Sequence, residues 1–247
     1  MSAARRRALL FLLILAAAAT AIGFAAIRHT PRAPPAPPAP RESARRPALL
    51  LLTSLPLLFN EDFVLSAKGS PVLERLGTSY RVVPISVADG AELAKGRLML
   101  MAQPPAQTAE NLVVLDEWVR GGGHVMVLAD PLLEWPSKRP LGDPLRPPPM
   151  FADTGLLAHW GLRLDVPDKR GPAQRNLGGY RIVTVSPGDL SGTCAISSDR
   201  LVARCRIGVG SATIVADADF LDVDRLGTGA EHNLDGLLAE LARVAHQ

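Results

Sequence analysis

Residues 114–131 read VLDEWVRGGGHVMVLADP: the last turns of a helix, three glycines, a buried strand, and an Asp-Pro where the strand runs out. Upstream, the apolar residues Leu112, Val113, Leu115, Trp118 and Val119 recur at helical spacing behind Thr108 as cap, and Gly121, Gly122 and Gly123 stop the helix. The continuous apolar run HVMVLAD (124–130) then suits a strand covered on both faces. Helix, short turn and fully buried strand make half of a parallel β–α–β unit, so this stretch sets the fold class.

The neighbouring segments extend the pattern. PALLLLTSLPLLF opens a domain with another doubly buried strand that ends in Thr53-Ser54. A short helix is expected over 71–76, with Ser70 as N-cap and Pro71 in its first position. YRVVPIS (80–86) reads as a strand that Pro84 assigns to a sheet edge, and GRLMLMAQP (96–104) as a third strand halted by Pro104 and Pro105. Residues 131–150 hold seven prolines and no periodicity, which makes them a long loop over the strand ends. FADTGLLAHWGL (151–162) is expected to be helical, closed by Gly161. The segments RLDV, YRIVTVS, TCAIS, LVARCRIGVG and SATIVADADFL are short strands, and 233–245 is a closing helix with Leu234, Leu237, Leu238, Leu241 and Val244 on one face. The fold class is α/β: a mainly parallel sheet with helices on both faces and a β-rich C-terminal half.

Ahead of this domain (48–247) lie three segments of different character. Residues 1–7 form a basic flank, and 8–27 are 20 residues without a charge, long enough at ~1.5 Å per residue to cross a bilayer core as an anchor. The competing reading is a cleaved signal sequence, with Ala19 and Ala21 near the cleavage site. Residues 28–47 (RHTPRAPPAPPAPRESARRP) are a Pro/Ala-rich spacer of polyproline II type. The chain's net charge of +3 resides in these extensions. Residues 1–47 hold eight of 27 basic groups and one of 24 acidic ones, so 48–247 carry 19 against 23, a net of −4. A mildly acidic domain with scattered Lys and Arg excludes a nucleic-acid partner.

Topology clues conflict. Arg5, Arg6 and Arg7 precede the apolar run while Arg28, Arg32, Arg41, Arg45 and Arg46 follow it, which keeps the C-terminal part in the cytoplasm. Cys194 and Cys205, the only cysteines, point the other way. If Asp199-Arg200 is a two-residue hairpin turn, Ser198 faces Leu201 and Cys194 faces Cys205, close to bonding distance. A disulfide there requires an oxidising compartment such as a periplasm; two free thiols on a buried strand face are the alternative. The expectation is a single-pass inner-membrane protein with its domain in the periplasm.

The stretch 114–131, together with RIGVGSATIVADADFLD followed by HNLDGLLAEL, resembles the GldG-like auxiliary components of bacterial ABC transporters. It is also similar to related uncharacterised membrane-anchored proteins with a class I glutamine-amidotransferase-like sheet. The resemblance implies a flavodoxin-like domain without chemistry of its own that assists a membrane transport machine, an ABC permease or ATPase complex being the partner. The chain departs from longer members in having one domain and one apparent span.

The strand ends supply the candidate site. The catalytic branch of this superfold carries a nucleophile elbow after the glycine turn; here Leu128, Ala129, Asp130 and Pro131 stand there, with neither Cys nor Ser, and Pro131 lacks the N–H an oxyanion hole would use. No catalytic residue is therefore assigned, and no cofactor. ADADFLDVD brings Asp217, Asp219, Asp222 and Asp224 close in sequence, but it matches no calcium loop, and none of His29, His124, His159, His232 or His246 has zinc-site spacing, so no metal is assigned. Ligand-binding candidates are Thr53, Ser54, Asp130, Asp217, Asp219, His232 and Asn233, gathered at the carboxyl edge of the sheet under the proline-rich loop. Against that stand local roles: Asn233 as the N-cap of the last helix, Thr53 and Ser54 as partners of nearby backbone. Two functions follow: a membrane-anchored, non-enzymatic accessory domain, or a small-molecule or metal-binding domain, conceivably a hydrolase, built on the strand-end carboxylates.

Overall fold

The structure, a computed structural model, describes residues 36–42, 45–58 and 70–245. From its start the domain runs Ala48–Thr53 (β1), Pro71–Gly77 (α1), Arg81–Pro84 (β2), Gly90–Leu93 (α2), Leu98–Ala102 (β3), Ala109–Arg120 (α3) and His124–Leu128 (β4). Then come Leu156–His159 (α4), Leu162–Asp165 (β5), Pro172–Leu177 (β6), Tyr180–Val185 (β7), Asp189–Gly192 (β8), Ala195–Ile196 (β9), Val202–Ile207 (β10) and Gly210–Val215 (β11). A 3-10 turn, Asp219–Leu221, leads to Val223–Leu226 (α5) and Asn233–Val244 (α6).

Seven strands form one sheet in the order β2-β1-β3-β4-β11-β10-β9, parallel from β2 through β11, with β10 antiparallel to both β11 and β9. The period-2 alternation of a strand divides its side chains between two cores. Leu49, Leu51, Leu100 and Met126 pack against α1 and α6 through Val72, Leu76, Leu237, Leu238 and Leu241. Leu50, Leu52, Met99, Met101, Val125 and Val127 pack on the other face against Leu115 and Val119 of α3. This is an α/β fold with a mostly parallel central sheet. Pro84 stands on the edge strand β2, where its missing N–H removes no bond from the sheet interior.

Several expectations need correction. The helix expected over 151–162 shrinks to the four residues of α4, because Phe151 N–H is held by the Asp130 carbonyl and the Asp153 carboxylate caps a later start through Gly155 and Leu157 N–H. Asn233 is not the cap of α6; His232 occupies that position, without a side-chain cap bond. Ser70 holds the N-cap position of α1 but likewise makes no side-chain cap bond. The short helix α2, capped by Asp89, and the strands β6 and β8 carry too few apolar residues to show periodicity and were not anticipated.

The single-pass inner-membrane expectation is also corrected. Among the described residues no helix is long and apolar enough to cross a membrane. The longest, α3 and α6, have 12 residues, about 18 Å against a hydrocarbon core of ~30 Å. The anchor read at 8–27 lies outside the described residues.

Candidate functional site

The parallel strands β1, β3, β4 and β11 end side by side, each running into a polar residue, and the segment 131–150 crosses those ends. At β1, Thr53 Oγ1 donates to Ala102 O (2.7 Å) and accepts from Leu55 N–H, while Ser54 gives both its N–H and its hydroxyl to Gln103 O. At β3, Gln103 is fully buried with φ at +42°, a strained left-handed conformation for a residue other than glycine. Its side chain is used at both ends: Oε1 accepts from Asp130 N–H (3.0 Å), and Nε2 donates to the carbonyls of Asp130 (3.3 Å) and Pro148 (3.2 Å). Gln103 thus ties β1, β4 and the crossing segment together.

Asp130, Asp217 and Asp219 meet beneath this segment, all three with no exposed surface. Asp130 Oδ1 accepts from Leu132 N–H and Oδ2 from Ala218 N–H. Asp219 Oδ2 accepts from Glu134 N–H (2.8 Å), and its Oδ1 from Arg225 (3.2 Å). Among the described residues no guanidinium bonds Asp217: Thr184 Oγ1 lies 2.7 and 2.6 Å from its two oxygens, and Phe220 N–H donates to Oδ1. Ser186, at φ +47°, donates to Glu134 Oε1 (2.6 Å) from the end of β7.

Desolvation is the main cause of unusual acidities here. Burial lifts the Asp130 carboxyl to about 6 despite the backbone N–H groups that favour its anion. Burial and then the charge of Asp130 lift Asp217 well above the carboxylate range. The same two causes lift Asp219 to about 7, against the pull of Glu134 N–H and Arg225.

Of the sequence candidates, the fold therefore brings together Asp130, Asp217 and Asp219. Asn233 joins them from behind: its Oδ1 accepts from Val183 N–H, and its Nδ2 donates to Val183 O (2.7 Å) and Phe220 O (2.8 Å), so it pins β7 and the turn after Asp217 to the start of α6. Thr53 stays with Ala102 and Leu55, and Ser54 reaches the carboxylates only through Gln103. His232 stands outside, exposed, its ring 5.9 Å from that of Tyr180 and Nδ1 3.5 Å from Asp235. Five participants were missed: Gln103, Glu134, Thr184, Ser186 and Arg225. One signal was present, since 101–104 (MAQP) and 128–131 (LADP) end two adjacent strands with the same apolar-Ala-polar-Pro pattern. Among the described residues, no group of three or more His, Cys, Asp or Glu is arranged to hold a metal ion. After β4 the chain enters a loop and not a helix, so no strand-turn-helix elbow forms at Asp130.

Two further features lie elsewhere. Cys194 and Cys205 are joined by a disulfide, Cα atoms 4.9 Å apart, as the β9–β10 register (Ala195 opposite Arg204) dictates. A groove of about 530 Å³ opens between α3 and α4, lined by Leu112, Val113, Asp116, Arg120, Leu156 and His159 among others. Burial acts to raise the Asp116 carboxyl, but hydrogen bonds from Arg120 and Trp160 outweigh it and hold it below its usual range.

No protein-family model matches the chain, and no curated protein does. Among solved structures it is similar to an exo-beta-1,4-mannosidase from an Opitutaceae bacterium, with 11% identity over 84% of this chain and 36% of that one, at a TM-score of 0.45. It is also similar to a cytoplasmic protein of Salmonella typhimurium (11% identity, 80% and 98% covered, TM-score 0.46). A putative ThuA-like protein from Parabacteroides merdae gives 12% identity, 81% and 90% covered, and a TM-score of 0.43. The chain spans about a third of the length of the mannosidase. No family model or curated protein supports the GldG-like and ABC-transporter expectations, which are withdrawn.

Proposed function

We propose that this chain is a non-enzymatic binding domain of flavodoxin-like build, working on a protein partner through the groove between α3 and α4. The strand order β2-β1-β3-β4-β11 supports that build, since it follows the flavodoxin sequence 2-1-3-4-5 with β11 as the fifth parallel strand. In such sheets ligands sit outside the carboxyl ends of the strands, at the β1/β3 switch point.

The observation that carries the reading is the state of that switch point. The Thr53 hydroxyl is taken by Ala102 O and Leu55 N–H, that of Ser54 by Gln103 O, and the Gln103 amide by Asp130 and Pro148, while Asp130 and Asp219 accept from protein donors on both oxygens. A ligand there would have to displace these bonds. The α3–α4 groove is open and carries apolar Leu112, exposed Val113 and Leu156 beside the charged Asp116, Glu117 and Arg120, the mixture typical of a partner-binding patch.

A photo-crosslinking residue placed at Val113 of the full chain in its own host, with one at exposed Val209 as control, tests this. A discrete protein adduct from Val113 alone is expected. Equal adducts from both positions, or a melting temperature raised by divalent ions or sugars in the wild type but not in Asp130→Asn, would replace this reading with ligand binding at the strand edge.

A further inference from the structure

We propose that segment 131–150 is a pH-operated strap, held over the strand ends while the buried acids Asp130, Asp217 and Asp219 keep their protons and released into solvent when they ionise together.

The geometry at Asp217 supplies the first step. Thr184 Oγ1 lies within 2.7 Å of both carboxyl oxygens, yet a hydroxyl has one hydrogen. With Phe220 N–H already on Oδ1, the short contact to Oδ2 is completed by a proton on the carboxyl, so that Asp217 donates as well as accepts. Neither Lys, Arg nor His is among its hydrogen-bond partners, and a fully buried carboxyl in that position keeps its proton.

The second step is how the strap is fastened. Leu132 N–H binds Asp130 Oδ1, Glu134 N–H binds Asp219 Oδ2, Ser186 binds the Glu134 carboxylate, and Gln103 reaches Pro148 O. The charged groups facing this cluster are Asp130 after β4, Glu134 on the strap, Asp217 and Asp219 after β11, and Asp222 and Arg225 of the α5 turn. Arg225 is shared between Asp219 and Asp222. Asp130, Asp217 and Asp219 hang from the sheet, whereas Glu134 rides on a segment without helix or strand and is already exposed. When the three aspartates ionise, buried charges with only Arg225 as counter-ion need water, and this outweighs the strap's N–H bonds to Asp130 and Asp219, which favour the anions; the strap, a segment without helix or strand, moves outward with Glu134. The protons pass to solvent. Burial lifts Asp130 to about 6 and Asp219 to about 7, which puts the transition near neutral pH.

Amide hydrogen exchange on the full chain tests the strap, with rates corrected for the intrinsic effect of pH. Between about pH 5.5 and about pH 8.5, protection at Leu132 and Glu134 should fall about tenfold or more relative to Leu100 and Met126 of the sheet. Asp217→Asn, which keeps the shape and cannot ionise, should retain most of the protection at the higher pH. If Asp217→Asn does not fold, Glu134→Gln on the strap takes its place, and it should shrink the pH effect in the same sense. Equal protection of the wild type at both pH values overturns the proposal, as does a variant that loses protection to the same extent as the wild type.

Discussion

Glu240 and Asp217 are both without exposed surface and are settled by opposite means. Glu240, on the sheet side of α6, receives Arg204 Nε and Nη2 at 2.6 and 2.8 Å and Arg243 at 2.8 Å, a bidentate pair with a second guanidinium behind it. Asp217, at the end of β11, receives a threonine hydroxyl and a backbone N–H, and lies beside two more acids. The first arrangement keeps a charge in the interior, and the second keeps the acid neutral. A proton of the second kind must be lost at some pH.

The largest effect that would break this comparison is removal of one guanidinium. Arg204→Ala should leave Glu240 with only partly exposed Arg243 and lower stability by about 3 to 5 kcal/mol, read as a shift in urea midpoint. A smaller loss would mean that Arg243 suffices alone. Replacing both Cys194 and Cys205 by Ser should remove about 3 kcal/mol through the freed unfolded chain, for a closure of 11 residues. That loss should be equal at about pH 5 and about pH 8, since the disulfide belongs to neither acid site.

The pH dependence of the wild type tests the other side of the comparison. Asp130 and Asp219 have folded pKa values of about 6 and about 7, against ~3.9 in an unfolded chain. Between those limits the folded state holds protons that the unfolded state has released. Stability should therefore fall as pH rises from about 4 to about 7, by up to ~1.4 kcal/mol per unit for each group. A urea midpoint that rises over this range would contradict the proton-held account of the strand edge. The smallest effect expected is from Gln103→Ala, about 1 to 2 kcal/mol, as Asp130 N–H loses its acceptor. Its distinguishing sign would be faster amide exchange at Ser54 and Asp130 before any change in the α6 region.

The sheet was legible where burial imposes a pattern. Leu49 to Leu52, Met99 to Met101 and Val125 to Leu128 are apolar without interruption because both of their faces are covered. Helix α3 was legible from Thr108 to Gly123 because its cap, stripe and stop are all local; Thr108 Oγ1 does accept from Asn111 N–H. The helix at 151–162 was over-read because its N-terminal half is committed to a distant partner, the carbonyl of Asp130, which no local rule contains. The strand-end cluster was legible only in part. Three aspartates at strand ends were visible as such, but the groups that determine their chemistry, Thr184, Gln103 and Glu134, come from segments 33, 27 and 85 residues or so away along the chain. Asn233 was assigned the commonest role of its position, whereas tertiary bonds to Val183 and Phe220 use up its side chain.

The place of β11 has a kinetic consequence. It pairs along its length with β4, yet His124 and Ser211, whose side chains are hydrogen-bonded across that seam, are 87 residues apart in sequence. During synthesis β1 to β4 emerge first and can pair among themselves, leaving the β4 edge and its apolar faces waiting until β11 leaves the ribosome. Chains with such long-range pairing fold slowly and are open to edge-to-edge association in the interval. A fragment ending before β11 should accordingly aggregate rather than fold, and ribosome-bound chains of that length are where a chaperone would be needed most.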